Sequence, residues 1–513
     1  MITDILDHED GTRLEAEIVV VGSGIAGSEL AMHLSRAGRR VLLLESGRRA
    51  FDPGIQALND IDFLGKPHRR MDPDAAYHAY LPPGLRGVSR VRQFGGTSTV
   101  WTGKWKLLQR SDFAERDWVD HSEWPIGYDH LLPFYRATAK DYGLGDLEAE
   151  AERPDLEPLR GTLARHGLKM TSFYHEKSPL RAAERFEEEM RSSSTLHVIL
   201  GATATELRLD PARRRVASVE CRSLEGRRID ARGATVVLAT GGLETPRLLL
   251  ASDRDVAGGI GNAHDLVGRF YGDHPKHHSG TLAPGPLARA HARELQYAPN
   301  PRFVLCFALD DAVQRAGRLL EHVVYLKPIY EGRRRRLLRR MTGGAACVDG
   351  NGSIAAYQVK IVTEQVPNPR SRISLAAERD ALGVRRLQLD WQFTDRDTES
   401  LPSIVSEVTE RFAAAGLGTF DFGDDPPNLD SMTDAAHQIG TTRMASDPTR
   451  GVVDTDCRVF GTENLYVASS AVFPTCPSYS PTFTILALAR RLGDHLLATA
   501  PARSPAPMAA LPS

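Results

Sequence analysis

Three glycines near the amino terminus have the spacing of a phosphate-binding turn. Gly22, Gly24 and Gly27 follow an apolar, β-branched run at residues 18–21 that predicts a buried parallel strand. In such a turn the first glycine permits the tight bend, the second lets the backbone approach a pyrophosphate, and the third lets the next helix pack on the strand. The free N–H groups of that helix then face the phosphates. The pattern therefore predicts a dinucleotide site.

Glu45 supplies the acidic residue that a dinucleotide site needs. It stands eighteen residues after Gly27 and ends a second apolar strand at residues 41–44. A carboxylate at this place accepts a hydrogen bond from a ribose hydroxyl and repels a 2′-phosphate. The agreement of strand, turn, helix and acid strengthens the prediction of a dinucleotide site. It does not separate FAD from NAD.

Two further stretches have residue types that suit contact with a ligand. Residues 94–105, FGGTSTVWTGKW, are rich in glycine and hydroxyl side chains, which lets backbone N–H groups crowd against a ligand. A structural loop with a tryptophan plug is the alternative. Residues 234–239, ATVVLA, predict a buried strand that ends in two glycines before a helix, which suits the same sheet. A plain strand–helix turn is the alternative there.

The whole chain has the composition of a globular protein. Its 513 residues are enough for two or more domains, and 41% are hydrophobic and 25% charged. The net charge of −2 gives no indication of nucleic acid or an anionic surface as a partner. The five cysteines show no Cys-x-x-Cys spacing, which argues against a metal site or a disulfide framework. Reduced thiols in the cytoplasm are the simpler interpretation.

No stretch of the sequence predicts a membrane segment. The start, MITDILDHED, lacks the basic and apolar regions of a secretion signal. No apolar run approaches the ~18 residues of a spanning helix. Residues 501–513 predict a disordered tail. The basic run at residues 333–340 predicts a solvated helix face, with a docking face for a partner or a membrane surface as the alternative.

The order of predicted elements indicates an α/β protein with a discontinuous first domain. Residues 1–280 would form a Rossmann-like nucleotide domain with a helical or irregular insertion at about 51–195. Antiparallel strands and helices predicted across residues 281–430 indicate a second, α+β domain. Short strands and glycines return at residues 431–500, so this piece is expected to rejoin the first domain.

Taken together, these stretches resemble the glucose–methanol–choline family of flavin oxidoreductases, in the branch of pyranose oxidases and of fructose and gluconate dehydrogenases. The resemblance covers nearly the whole chain. Besides the amino-terminal glycine turn, the matching segments are, in order, FGGTSTVWTGKW, SEWPIGYDHLLPFY, VVLATGGLETPRLLLAS, GNAHDLVGRFYGDHP, EQVPNPRSRISL, HQIGTTRM and NLYVASSAVFPTCPSYSPTFTILALARRLGDHL. The resemblance implies a Rossmann-like FAD-binding domain and a substrate domain whose mainly antiparallel sheet covers the flavin ring.

The resemblance also implies which residues meet FAD. Some relatives carry a histidine in the loop at residues 94–102 that is bonded covalently to the flavin. That position here is Val100, which has no nucleophile, so non-covalent FAD is expected. Thr102 corresponds to the hydroxyl residue near flavin N5. The full set of expected cofactor residues is Gly22, Gly24, Gly27, Glu45, Gly95, Gly96, Thr97, Ser98, Trp101, Thr102, Ala204, Ala239, Gly241, Ser470, Ala471, Pro481 and Thr482.

The oxidation of an alcohol needs a base for the hydroxyl proton and an acceptor for the carbon-bound hydride, which is flavin N5 in this family. His437, in HQIGTTRM, matches the family's first active-site residue, and a neutral imidazole suits a base. His274 and Asp273, in GDHP, match a family segment that we interpret as structural or flavin-proximal.

The second residue of the family's catalytic pair is usually Asn or His, but here it is Ser480. Serine is shorter and cannot act as an imidazole base. Three interpretations stay open: Ser480 positions the substrate through a water, the pocket is enlarged for a bulkier substrate, or catalysis is weakened and the natural reaction is unusual.

The sequence thus predicts FAD-dependent oxidation of an alcohol group of a sugar, glycoside or related polyol, with O2 or a quinone or redox partner as electron acceptor. A NAD-dependent dehydrogenase and a FAD-containing lyase of the same family without net redox chemistry are the alternatives. The substrate, the acceptor and the oligomeric state do not follow from the sequence.

Overall fold

A computed structural model describes residues 1–65, 89–145, 154–175, 179–277, 280–292, 294–295, 303–330, 354–424 and 426–499. Its strands are β1 (Ile2–Asp4), β2 (Thr12–Val21), β3 (Val41–Leu44), β4 (Ile61–Phe63), β5 (Lys104–Trp105), β6 (Leu168–His175), β7 (Leu196–Leu200), β8 (Thr203–Leu209), β9 (Val216–Arg222), β10 (Arg228–Leu238), β11 (Lys276–His277), β12 (Thr281–Pro284), β13 (Phe303–Leu309), β14 (His322–Tyr330), β15 (Ile354–Thr363), β16 (Arg372–Arg379), β17 (Arg385–Asp390), β18 (Gly418–Asp421) and β19 (Leu465–Val467).

The α-helices in these ranges connect and cover the sheets. They are α1 (Ile25–Arg36), α2 (Pro53–Ala57), α3 (Tyr128–Asp141), α4 (Glu157–Arg165), α5 (Ala182–Ser192), α6 (Gly241–Ala251), α7 (Pro286–Ala290), α8 (Asp311–Gly317), α9 (Asp395–Ala414) and α10 (Thr482–Thr499). Within the described ranges no helix combines the length and the apolar character needed to cross a membrane.

The first sheet is built around the apolar strands β2 and β3. Its order is β1-β7-β3-β2-β10-β9-β8, and β19 pairs with the last part of β10. Strands β1, β7, β3, β2, β10 and β19 run parallel to one another, whereas β9 pairs antiparallel with both β10 and β8. Val21 is in register with both Leu44 and Leu238. The carboxyl ends of these three strands therefore meet at one edge, where doubly wound sheets bind ligands.

Helices α1 and α10 cover one face of this sheet. The apolar positions Leu30 and Leu34 recur at helical spacing in α1, and they are fully buried in the same cluster as Leu492 and Leu496 of α10. The carboxy-terminal part of the described chain thus packs on the first helix.

The second sheet is antiparallel, with the order β18-β12-β15-β14-β13-β6-β5 and β11 paired with β15. Helix α9 packs on it through Phe412, whose ring meets Phe307 of β13 edge-on. The sequence predicts helical or irregular structure at about 51–195, and this expectation is wrong for β6. The strand buries the neighbours Phe173 and Tyr174, so its side chains do not show the alternation that marks a strand.

A small third sheet, β16-β17-β4, joins residues 61–63 to the second half of the chain. The fold class predicted from the sequence, α/β with a Rossmann-like domain and a mainly antiparallel second sheet, is confirmed. The bounds of the two domains stay a prediction. The basic run at 333–340 and the tail at 501–513 lie outside the described residues.

Candidate functional site

A cavity of about 1350 Å³ is lined by residues of both large sheets. The turns after β2, β3, β10 and β19 line it from the first sheet, and β14 and β15 line it from the second. Pockets for one small ligand measure about 300–1,000 Å³. This cavity therefore has room for a dinucleotide and a small substrate together.

The turn between β2 and α1 is shaped for a phosphate group. Gly22 has a φ of +101°, and a Cβ there would stand 2.7 Å from the carbonyl oxygen of Ala239. A Cβ at Gly27 would stand 1.9 Å from the carbonyl oxygen of Gly22, so this glycine permits the helix to pack on the turn. Gly24 has open space beside its backbone and lines the cavity with Ile25. The unpaired N–H groups of the first turn of α1 are therefore available to an anion.

Glu45 lines the cavity at the end of β3, with its carboxylate already hydrogen-bonded. Its Oε2 accepts from the backbone N–H of Ser23 at 2.8 Å and from the Ser23 hydroxyl at 2.6 Å. Its Oε1 accepts from the N–H of Gly47 at 2.7 Å. Burial raises the pKa of Glu45. Because each carboxylate oxygen has two lone pairs, Oε1 can still accept a ribose hydroxyl.

Several polar atoms on the cavity wall have no partner among the described residues. They include Nε and Nη1 of Arg90, Nε2 of Gln438 and Oδ2 of Asp434, all of them buried. A buried polar atom left unpaired costs about 1–3 kcal/mol. A polar, anionic dinucleotide supplies acceptors for the guanidinium of Arg90 and the amide of Gln438. The residues present therefore fit FAD.

The loop at residues 94–102 lines the cavity and is held in place by a tryptophan. Gly96, Thr97 and Thr102 line the cavity. Trp101 also lines it, but its indole N–H donates to the carbonyl of Leu180 and its ring meets Trp105 edge-on at 5.0 Å. The loop is thus a cavity wall that a tryptophan fixes to the protein.

The structure brings most of the predicted site residues to this one cavity. Those that line it are Gly22, Gly24, Glu45, Gly96, Thr97, Ser98, Trp101, Thr102, Ala204, Ala239, Gly241, His437, Ser470, Ser480, Pro481 and Thr482. Gly27, Gly95 and Ala471 are not part of the lining. Gly95, with a φ of +91°, instead donates its N–H to the hydroxyl of Ser23 at 2.9 Å and so supports the turn. Ala471 is fully buried behind Ser470.

His437 is hydrogen-bonded to a second histidine, which sequence reasoning did not place in the catalytic pair. Its Nδ1 lies 2.8 Å from Nε2 of His274, and Nδ1 of His274 lies 2.9 Å from the carbonyl oxygen of Pro477. A carbonyl only accepts, so His274 carries its proton on Nδ1. Its Nε2 is then the acceptor for the Nδ1 proton of His437. In the neutral pair, Nε2 of His437 is left unprotonated.

The surroundings keep both imidazoles neutral. Burial is the largest cause that lowers the pKa of His437 well below its usual value, followed by His274 and then by Lys276. Burial likewise lowers the pKa of His274 well below its usual value. A neutral imidazole with a free Nε2 can take a proton from a hydroxyl group.

Asp273 holds the backbone of the loop that presents His437. Its Oδ2 accepts from the N–H of His437 at 3.0 Å, and its Oδ1 accepts from the N–H of Ala435 at 3.2 Å. Ala436 between them has a φ of +57°, a strained conformation for a residue with a side chain. Such strain persists where the surroundings enforce it, often at functional sites.

Side-chain atoms of Asp273, His274 and His437 lie within 4.8 Å of one another, a spacing that also suits a metal ion. The hydrogen bonds already described use both carboxylate oxygens, both nitrogens of His274 and Nδ1 of His437. A cation would have to displace them. We therefore interpret this group as a hydrogen-bonded cluster.

Ser480 lines the same cavity. The three consecutive residues 476–478, just before it, are each held by a backbone hydrogen bond. The carbonyl of Cys476 accepts from the N–H of Gln365 at 3.2 Å, and the N–H of Ser478 donates to Glu321 at 3.0 Å. Pro477 between them is the acceptor for His274. The short side chain of Ser480 therefore stands on a fixed backbone.

Sequence reasoning missed the lysines of the cavity. Lys104, Lys276 and Lys360 line it, and burial is the largest cause that lowers the pKa of each, to about 8 for Lys104. A usable signal existed for one of them. Lys360 stands between Val359 and Ile361 in a predicted strand, so that the lysine interrupts an apolar run.

Comparison with known proteins identifies relatives over nearly the whole chain. Residues 176–276 and 367–489 match the amino- and carboxy-terminal family profiles described as GMC oxidoreductase, and residues 20–54 match a NAD(P)-binding Rossmann-like domain. The fructose dehydrogenase large subunit of Gluconobacter japonicus is 23% identical over 94% of this chain and 98% of its own. The paromamine 6′-oxidase of Streptomyces fradiae is 25% identical over 93% of this chain and 90% of its own.

A solved structure also shares this fold. Pyridoxine 4-oxidase from Mesorbium loti superposes with a TM-score of 0.60 at 22% identity, over 94% of this chain and 99% of that protein. At this identity the likeness establishes the fold.

Proposed function

Because this chain belongs to the GMC oxidoreductase family, we propose that it oxidises an alcohol group of a sugar, glycoside or related polyol, with FAD as cofactor and His437 as the base. The observation that supports this most is the pair of neutral histidines, whose hydrogen bonds leave Nε2 of His437 free to accept a proton. The fructose, paromamine and C-glycoside named in the descriptions of relatives favour a sugar-like substrate.

FAD, when bound, supplies the acceptor for the hydride. The glycine turn, the start of α1 and Glu45 would hold its phosphates and ribose, and the loop at 94–102 and Ser470 would border its ring. The remaining steps belong to the protein. His437 removes the hydroxyl proton at Nε2, and the growing negative charge on the substrate oxygen helps the hydride to leave carbon.

His274 acts on this step through His437. Its Nε2 accepts the Nδ1 proton of His437 before and after the transfer, which fixes the imidazole in one orientation. Burial, His274 and the nearby lysines disfavour a positive charge on His437, so the proton taken up is readily passed on to water. Ser480 would orient the substrate through its hydroxyl group.

The electron acceptor and the cellular location belong to the same proposal. We expect O2, a quinone or a separate redox protein to reoxidise the flavin, because the sequence contains no haem-attachment motif. The four cysteines in the described ranges are buried free thiols, which supports a reducing compartment such as the cytoplasm.

Anaerobic bleaching of the flavin by a panel of sugars, glycosides and polyols tests the proposed function. We expect at least one alcohol to bleach the flavin of the purified protein, and His437→Ala to lose that response. A purified protein without flavin that reduces NAD would instead identify a nicotinamide dehydrogenase. Flavin that no alcohol bleaches, in a protein that cleaves a hydroxynitrile, would identify the lyase alternative, which the serine at position 480 keeps open.

A further inference from the structure

Lys104 and Lys360 place two ammonium groups around one aromatic ring on the cavity wall. Nζ of Lys104 lies 5.4 Å from the ring centre of Phe173 and 6.0 Å from that of Tyr325. Nζ of Lys360 lies 5.1 Å from the same ring of Tyr325. Strand pairing explains the arrangement, because Tyr325 of β14 is in register with Lys360 of β15. The two lysines therefore border one part of the cavity.

Neither ammonium has a carboxylate partner within the part of the chain that the structure describes. The ionisable groups that act on them are each other, Lys276, Cys306 and His175. Lys276 differs, since the carboxylates of Asp273 and Asp434 act on it. A buried charge is costly unless it is paired, and an aromatic face offsets only a part of that cost. An anion from outside the protein would stabilise the charged form of both lysines, whose pKa burial otherwise lowers.

The position of the lysines assigns this anion to the substrate. Lys104, Lys276 and Lys360 line the same cavity as His437, and each lowers the pKa of His437, after the larger effects of burial and His274. The dinucleotide phosphates have their own site on the first sheet, at the start of α1 and beside Arg90. An anion held by Lys104 and Lys360 would lie on the second sheet, close to the group that takes the proton.

We propose that the natural substrate carries a carboxylate or phosphate group that Lys104 and Lys360 bind while His437 deprotonates its alcohol. The substrate class is then a sugar acid, a sugar phosphate or another hydroxylated anion. This inference rests on the proposed function and narrows it. The reaction itself is unchanged: His437 would take the hydroxyl proton, and FAD, when bound, would supply the acceptor for the hydride.

The test compares matched anionic and neutral probes on the FAD-loaded protein. D-Glucuronate, D-gluconate and D-glucose 6-phosphate are the anions, and D-glucose and D-glucitol are the neutral counterparts. Binding is measured by perturbation of the flavin spectrum and by thermal shift, and turnover by anaerobic flavin reduction. Lys104→Met and Lys360→Met remove the charge but keep most of the length of the side chain. Lys140→Met, on the exposed face of α3, is the control.

We expect at least one anion to bind the wild type at lower concentration than its neutral counterpart. Each cavity variant should weaken anion binding by about 10- to 100-fold, the effect of a charged hydrogen bond. The affinity of these variants for the neutral probes should change by less than about threefold. The control variant, Lys140→Met, should bind all probes like the wild type. Without ligand the cavity variants should unfold at the same or higher temperature, because an unpaired buried charge has been removed. Preference for the carboxylates or for the phosphate identifies which anion the site takes.

The pH dependence gives a second readout. Burial, and after it Lys276, lower the pKa of Lys104 to about 8 against the opposing effect of Cys306, and Lys360 and His175 are its other ionisable neighbours. Lys104 therefore loses its charge as the pH rises through that value. Anion binding should therefore weaken between pH 7 and 9.5 in the wild type. In Lys104→Met this part of the pH dependence should be absent.

Other outcomes overturn the inference in distinguishable ways. Equal binding of neutral and anionic probes to the wild type refutes it, and so does equal binding of the anions to wild type and variants. Loss of FAD from the variants would assign the lysines to the cofactor. If only neutral alcohols bleach the flavin, the proposed alcohol oxidation is supported and the anionic substrate is refuted. Lysine-dependent anion binding with no bleaching by any alcohol refutes the proposed function and leaves the anion site.

Discussion

Nδ1 of His437 lies 2.8 Å from Nε2 of His274, although the two residues are 163 positions apart in the chain. The contact determines which nitrogen of His437 can act as a base. Because His274 donates from Nδ1 to Pro477, its other nitrogen must accept, and His437 is fixed with its proton on Nδ1. The base proposed for the reaction is therefore a single nitrogen atom, Nε2 of His437.

Replacing His437 by alanine should slow anaerobic flavin reduction by about 10²–10⁴-fold, the usual range for the loss of a general base. Stopped-flow absorbance with a substrate that bleaches the wild type measures the rate. Every variant must first show full FAD absorbance. His264→Ala, at an exposed position, is the matched control and should react like the wild type. A wild-type rate in His437→Ala would refute the assignment of the base.

His274 should behave as a positioning residue. His274→Leu leaves the Nδ1 proton of His437 without an acceptor, so either ring nitrogen can carry the proton, and flavin reduction should slow about tenfold, near the ~1 kcal/mol of a net hydrogen bond. In His274→Gln the amide can donate to Pro477 and accept from His437, and most of the rate should return. Rates are measured from pH 5 to 9.

The wild-type pH profile supplies the accompanying check. A base with a lowered pKa is unprotonated at neutral pH, so the rate should be constant around pH 7 and fall only as the pH drops through that lowered pKa. If Gln and Leu at position 274 gave the same rate and profile, His274 would have only a packing role.

Ser480 should contribute less than His437. Ser480→Ala should slow flavin reduction about tenfold, equivalent to roughly 1 kcal/mol for one hydrogen bond. Ser480→Asn restores the family's commoner pairing. If Asn excludes the natural substrate but improves a smaller alcohol, the serine serves to enlarge the pocket. Steady-state KM and kcat, measured for both substrates, separate these effects. If Ser480→Ala reacts like the wild type, Ser480 does not orient the substrate.

FAD should be bound without a covalent bond. Val100 lines the cavity with methyl groups only and packs beside Val91. Acid precipitation should release all of the flavin into the supernatant, where its absorbance is measured. Yellow colour that stays in the washed, denatured pellet would identify an attachment at another residue.

Glu45→Ala should weaken FAD retention. The loss of a charged hydrogen bond suggests about 1.5–3 kcal/mol of cofactor binding. Ser23 and Gly47 also lose their acceptor, so the turn itself should loosen. Flavin content after dialysis is the measurement, and Glu15→Ala, at an exposed position of β2, is the control. Full flavin content in Glu45→Ala after dialysis would contradict the ribose assignment.

The sequence predicts the parts of the site that depend on local chemistry. The turn at Gly22 and the acid at Glu45 are recognisable because the tight bend and the strand end each demand one residue type. Contacts between distant segments have no such signal. Nothing around His274 indicates His437, and nothing around Lys104 indicates Lys360.

Because β19 and α10 return to the first sheet, that sheet cannot be completed until the end of the chain has been synthesised. The glycine turn leaves the ribosome long before residues 465–499 are translated, and domains tend to fold from the amino terminus during synthesis. The last residues of β10 then have no pairing partner on one side until β19 has been synthesised. Between the synthesis of β10 and that of β19 the nascent chain therefore holds a half-built cofactor site, with an open strand edge that needs protection from aggregation.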